Sequence, residues 1–235
     1  MELSEAGVLV TGGGTGIGRA TARLLAERGA RVAICGRRAG PIRETAAAIG
    51  AIPLVADVSD EAQVRTLVAA TVRDLGRYDV LVNNAGFGAF APLLELEVAD
   101  FSRVWETNVL GAMLVARESA RHFVGQRRGN IINVASTSAS RGSAGGTAYV
   151  ASKFALAGMT QCWRAELRQS GVRVMQINPS EVVTDFFEAA GVGRREDNPT
   201  KLRPEDIAHM IAAMLTLDER AFVTEATVWA SAPKD

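Results

Sequence analysis

Short apolar runs alternate with amphipathic stretches along the chain. The runs at 7–11, 31–35, 52–56, 79–83, 130–135, 172–177 and 226–230 have strand length and no polar face. Helical periodicity fills the intervals 16–28, 41–49, 61–75, 99–124, 147–169 and 204–217. Uninterrupted apolar strands alternating with helices predict a parallel sheet covered on both faces. Right-handed crossovers then make an α/β, doubly wound parallel sheet of about seven strands, in three α/β/α layers. No repeat or low-complexity linker breaks the pattern, so one domain over 1–235 is expected. The segment 186–203 stands apart. It mixes Gly191, Gly193, Arg194, Arg195, Asp197, Asn198 and Pro199 with little periodicity. Such a stretch is either a substrate loop or a solvated connector.

Bulk properties narrow the partners. The 26 basic residues match 26 acidic ones, which leaves no electrostatic case for nucleic acid or a membrane surface. No apolar run is long enough to span a bilayer, and residues 1–5 lack the basic and apolar regions of a secretory signal. A cytoplasmic protein is the expectation. Cys35 and Cys162 show no ligand spacing, and only His122 and His209 supply imidazoles. Neither a metal site nor a histidine-based triad is therefore expected.

Candidate chemistry begins at Thr11-Gly12-Gly13-Gly14-Thr15-Gly16-Ile17-Gly18, at the first strand-to-helix junction. In an open α/β sheet this junction binds the pyrophosphate of a dinucleotide, as in Rossmann-like folds. Glycines let the backbone approach, and the helix start offers N–H groups and a positive dipole. Gly12, Gly14, Thr15, Gly16, Ile17 and Gly18 are the candidate contacts. The spacing is neither G-x-G-x-x-G nor a Walker loop. The second strand ends Cys35-Gly36-Arg37-Arg38, without the carboxylate that usually binds a ribose 2′-hydroxyl. Guanidinium groups suit a 2′-phosphate, so Arg37 and Arg38 favour NADP(H) over NAD(H). Asp57 and Val58, after the third strand, are expected to border the adenine.

Tyr149 and Lys153 lie four residues apart and share a helix face, with Ser136 thirteen residues before the tyrosine. A phenol is a poor acid or base near pH 7, and a close ammonium favours its ionised form. The pair is thus a candidate proton donor and acceptor.

The motifs Thr11–Gly18, Asp57, Asn83-Asn84-Ala85-Gly86, Asn108, Ser136, Tyr149-x-x-x-Lys153 and Asn178-Pro179 occur in an order that resembles the short-chain dehydrogenase/reductase family. In general form the chain resembles that family's 3-oxoacyl-acyl-carrier-protein reductases. The resemblance implies a dehydrogenase or carbonyl reductase. Tyr149 would be its general acid or base. Lys153 would lower the tyrosine's pKa and bond the nicotinamide ribose, and Ser136 would bond the substrate oxygen. Asn108 would support a proton-relay water. Asn84, Ala85 and Gly86 would line the cofactor, and Pro179, Val182 and Thr184 would hold the carboxamide. The family also implies a homo-oligomer, tetramer or dimer, and a small carbonyl or alcohol as substrate.

Two departures stand out. Pro179 is followed by Ser180-Glu181 where the family usually has glycine, so either the backbone differs or no positive φ is needed there. Glu181 either faces the substrate or sits in an ion pair. The family's usual ending is also absent from 222–231. Substrate choice is expected from 87–92, from 137–147 with Ser138, and from 186–203. Arg194, Arg195 and Lys201 in the last segment would suit an acidic carrier and a 3-oxoacyl thioester. The rival reading is an NADP(H)-binding sensor without turnover.

Overall fold

A computed structural model describes residues 1–191, 198 and 200–231. Seven parallel strands form one sheet. In chain order the elements are β1 (Gly7–Thr11), α1 (Gly16–Glu27), β2 (Arg31–Gly36), α2 (Ala39–Ile49), β3 (Ile52–Val55), α3 (Glu61–Leu75), β4 (Val80–Asn83), α4 (Val98–Trp105), α5 (Ala112–Gly125), β5 (Gly129–Val134), α6 (Thr147–Leu167), β6 (Val172–Pro179), α7 (Phe186–Ala189), α8 (Pro204–Thr216) and β7 (Glu225–Val228). The spatial order β3-β2-β1-β4-β5-β6-β7 reverses direction between β1 and β4, which makes that crevice the switch point of the sheet.

The inner strands are mostly apolar because both faces are covered, while the edge strands β3 and β7 are partly exposed. Val8, Val10, Val32 and Ile34 point into one core with Leu25 of α1 and Ile207, Ile211 and Leu215 of α8. Their neighbours Leu9, Ala33 and Cys35 point into the other, with Val64, Leu67 and Val68 of α3 and Leu114, Val115 and Phe123 of α5. This two-sided alternation is why period-two polarity is missing from the sequence. Helix starts are capped locally: Asp60 Oδ1 accepts from the backbone N of Ala62 and Gln63, at 2.9 and 3.0 Å. Asp206 Oδ2 accepts from the Arg203 backbone N at 2.8 Å ahead of Pro204.

The helix expected over 99–124 is broken. Between α4 and α5 the residues Glu106–Gly111 form a π segment. Asn83 Nδ2 donates to the Ala112 carbonyl at 2.9 Å at its far end, and Asn108 lies within it. A π turn of this kind has no signature in helical periodicity. Among the described residues, no helix is long and apolar enough to cross a membrane.

Gly18 shows how tightly α1 seats on the sheet. A Cβ there would lie 2.3 Å from the Gly12 carbonyl oxygen and 2.6 Å from Asn84 Nδ2. Gly18→Ala is expected to destabilise by about 1–3 kcal/mol, the usual range for overpacking. The check is a lower urea midpoint at unchanged slope. An unchanged midpoint would show that α1 can shift without cost.

Candidate active site

The switch point opens into a cavity of about 1050 Å³. One end is the glycine loop. Gly12 takes a left-handed backbone (φ 67°), and Asn84 Nδ2 donates to the Thr11 carbonyl at 2.9 Å. The Thr11 hydroxyl accepts the backbone N–H groups of Asn84 and Ala85, each at 2.9 Å. These bonds tie the ends of β1 and β4 together beneath the cavity. At the start of α1, Thr15 is in cap position without a side-chain cap bond. First-turn N–H groups there keep their capacity for an anion, with the helix dipole in support.

The lining brings together Gly12, Gly14, Thr15, Gly16, Ile17, Arg37, Arg38, Asp57, Val58, Asn84, Ala85, Gly86, Tyr149, Lys153 and Thr184. Gly18, Ser136, Ser138, Pro179 and Val182 are not among the lining residues. Gly18 is packed under the loop, Pro179 is buried at the end of β6, and Val182 bridges to Leu202. Ser136 heads a short turn and Ser138 follows it, the Ser138 backbone N donating to Ser136 Oγ at 3.1 Å. Arg37 and Arg38 are exposed at the end of β2. Asp57 is 3.7 Å from the Arg37 guanidinium, and its Oδ1 also accepts from the Ser59 hydroxyl at 2.7 Å. An uncapped helix start, a cationic end and a phenol–ammonium pair on one cavity fit a dinucleotide.

At the opposite end, Lys153 is buried and its Nζ donates to the Val134 carbonyl at 2.9 Å. Its cation lies over the Tyr149 ring, 5.6 Å from the centroid. Burial pulls the lysine's pKa down from 10.5 to about 8. The phenol moves opposite to the sequence expectation. Burial raises Tyr149 to about 12, and only the hydrogen bond with Ser136 opposes it. The ammonium meets the face of the ring, and burial outweighs it. Asn108 is committed on every side: its Oδ1 accepts the Phe87 backbone N at 3.0 Å, and its Nδ2 donates to the Phe87 carbonyl at 2.9 Å and Ser152 Oγ at 3.0 Å.

The family model described as "short chain dehydrogenase" matches residues 6–194. The chain belongs to the short-chain dehydrogenase family. It is 34% identical over 236 residues to the 3-oxoacyl-[acyl-carrier-protein] reductase FabG of Thermotoga maritima, covering 95% of each chain. The fold superposes with a TM-score of 0.89 on a serine dehydrogenase in complex with NADP+, at 28% identity, covering 94% of this chain and 93% of that one. A 3-ketoacyl-(acyl-carrier-protein) reductase from Brucella melitensis in complex with NADH gives a TM-score of 0.87 at 30% identity, covering 97% and 98%.

Several contacts of this short-chain dehydrogenase add to the sequence reading or decide between its alternatives. Ser152, inside the Tyr149–Lys153 motif, donates to the Tyr149 carbonyl at 2.7 Å and so links that residue to Asn108. Phe90 and Phe186 both pack on the Tyr149 ring. Phe186 carried a signal only as the first residue of the irregular segment. Ser180 needs no positive φ, and its backbone N donates to the Val228 carbonyl at 2.9 Å. Glu181 is ion-paired with Lys201 at 2.8 Å. The Arg141 guanidinium lies over the Trp229 ring, 5.0 Å from its centroid. Arg194 and Arg195 lie outside the described residues. Among the described residues, no cluster of three or more metal-ligating side chains occurs.

Burial of Lys153 has a measurable consequence. Its folded pKa of about 8 is below the ordinary 10.5, so between those values the unfolded chain binds more protons. The folding stability contributed by this group therefore rises with pH across that window, and below about pH 8 its full cost, about 3 kcal/mol, is present. Relative to a Lys153→Met variant, the parent is expected to gain stability between pH 8 and 10 in denaturant titrations. A stability difference constant across that window would rule out the depressed pKa.

Proposed function

We propose that this protein is a carbonyl reductase or alcohol dehydrogenase that uses NADP(H) in preference to NAD(H). The observation that carries this reading is the contact of Tyr149 with both Ser136 and Lys153, with Tyr149 and Lys153 lining the same cavity as the glycine loop, Arg37 and Arg38. When bound, the cofactor supplies the hydride chemistry. Tyr149 donates its hydroxyl proton to the substrate oxygen in reduction and takes it back in oxidation. The Ser136 hydroxyl donates a hydrogen bond to the same oxygen as charge develops on it. Lys153 uses one donor on the Val134 carbonyl, leaving two for the nicotinamide ribose hydroxyls. Asn108 holds the Phe87 backbone and Ser152, and so positions Tyr149 from behind. Arg37 and Arg38 supply the positive charge for a 2′-phosphate. The serine dehydrogenase solved with NADP+ supports this preference, and the Brucella reductase solved with NADH marks its alternative.

Of the three cations that suggested a 3-oxoacyl thioester, Lys201 is paired with Glu181. Arg194 and Arg195 lie outside the described residues, so support for that substrate comes from the names of the Thermotoga and Brucella relatives, and the proposal is held at the level of a carbonyl or secondary alcohol. Joint retention of Ser136, Tyr149 and Lys153 favours turnover over a sensor role.

Tyr149→Phe keeps the ring and removes the transferable proton. Turnover is expected to fall by about 10²-fold or more, the scale of general acid catalysis. Near-normal turnover in steady-state assays would rule out the assignment. Arg37→Asp is expected to weaken NADPH binding far more than NADH binding by calorimetry, and equal affinities in the parent would remove the preference.

A further inference from the structure

Two phenylalanines sit on the ring proposed to donate the proton. The Phe90 centroid is 5.5 Å from that of Tyr149, with the planes tilted by 48°. Phe186, the first residue of α7, is 5.3 Å from Tyr149 and tilted by 60°. The two phenylalanines are 6.3 Å apart and nearly edge-on, at 76°. Both line the cavity and both are half-buried, so large apolar rings face the site instead of filling a core.

The arrangement is held by backbone. A Cβ on Gly88 would lie 2.6 Å from Phe90 Cε2 and 2.9 Å from Phe186 Cζ, so the chain runs directly against both rings. Asn108 fixes the residue before it, through both backbone groups of Phe87. Of the described cations lining the cavity, Arg37 and Arg38 stand at the end of β2, Arg103 pairs with Asp100, and Lys153 is bound to Val134. The residue before Phe186 is the exposed acid Asp185. Among the described residues, the two rings and Asp185 at this end therefore favour flat apolar substrates over anionic ones.

We propose that Phe90 and Phe186 determine specificity, and that the substrate is an uncharged ketone or secondary alcohol carried on a flat ring. That ring takes over the contact Phe186 now makes with Tyr149, while its oxygen meets the Tyr149 and Ser136 hydroxyls. The inference rests on the carbonyl reductase reading of this same site.

The test compares NADPH oxidation by the parent on α-tetralone, cyclohexanone, 2-hexanone and an acetoacetyl thioester. α-Tetralone, whose ketone is fused to a flat ring, is expected to exceed 2-hexanone in kcat/KM by about tenfold or more, with the puckered ring of cyclohexanone between them, since an apolar contact of one ring discriminates on that scale. Phe186→Ala and Phe90→Ala are each expected to cut the ring-over-chain ratio severalfold, chiefly through KM, with Phe186→Leu intermediate. Reduction of 2-hexanone or the thioester as well as the ring ketones overturns this inference and leaves the reductase reading standing. A ratio unchanged in both alanine variants, each folded by its thermal transition, overturns it too. No reduction of any of the four carbonyls overturns both.

Discussion

The closure of β1 against β4 is the constraint on which the site depends. In a parallel sheet whose strand order reverses, the chain leaves these two neighbours in opposite directions and a crevice opens above their ends. The Thr11 hydroxyl spans that gap by accepting the N–H groups of Asn84 and Ala85. The Asn84 amide returns to the Thr11 carbonyl. With the floor fixed, the glycine loop can pass over it and α1 can seat closely enough to leave no space for a side chain at Gly18. Loss of this cross-tie would misplace the phosphate end and the Asn84–Gly86 wall together.

A second chain of bonds joins the two halves of the proposed chemistry. Asn108 grips the backbone of Phe87 on one side and Ser152 on the other, and Ser152 reaches the Tyr149 carbonyl. The segment bearing Phe90 and the helix bearing Tyr149 are thereby held in one register. The same burial that orders this region opposes charge on both titrating groups, raising Tyr149 and lowering Lys153. Burial thus favours a neutral phenol, the form the proposed reduction needs as its proton donor, and makes the ammonium costly to keep charged. A carbonyl oxygen gaining negative charge would reward that arrangement more than a ground state would.

Legibility in the sequence followed the range of the interactions. Strands and helices set by local apolar pattern appear close to where periodicity predicts them, and α3 coincides with its predicted span at 61–75. The π segment at Glu106–Gly111 escaped, because one residue of extra winding scarcely alters an apolar stripe. The residues of the glycine loop, Arg37, Arg38, Tyr149 and Lys153 were visible as spacing, and the fold gathers them on one cavity. Glu181 was readable only as two alternatives until Lys201 was found beside it.

The sequence by itself determined the alternation of strands and helices, the family, and which side chains are the titratable and cationic candidates. These follow from residue type and short spacing. Only the tertiary structure decided what surrounds each group. It set the Lys153 ammonium against the face of the Tyr149 ring, turned Asn108 toward Phe87 and Ser152, and brought Phe186 from the start of α7 onto a ring 37 residues earlier in the chain. Such contacts depend on which apolar surfaces pack together, and packing joins residues whose separation along the chain carries no periodic trace.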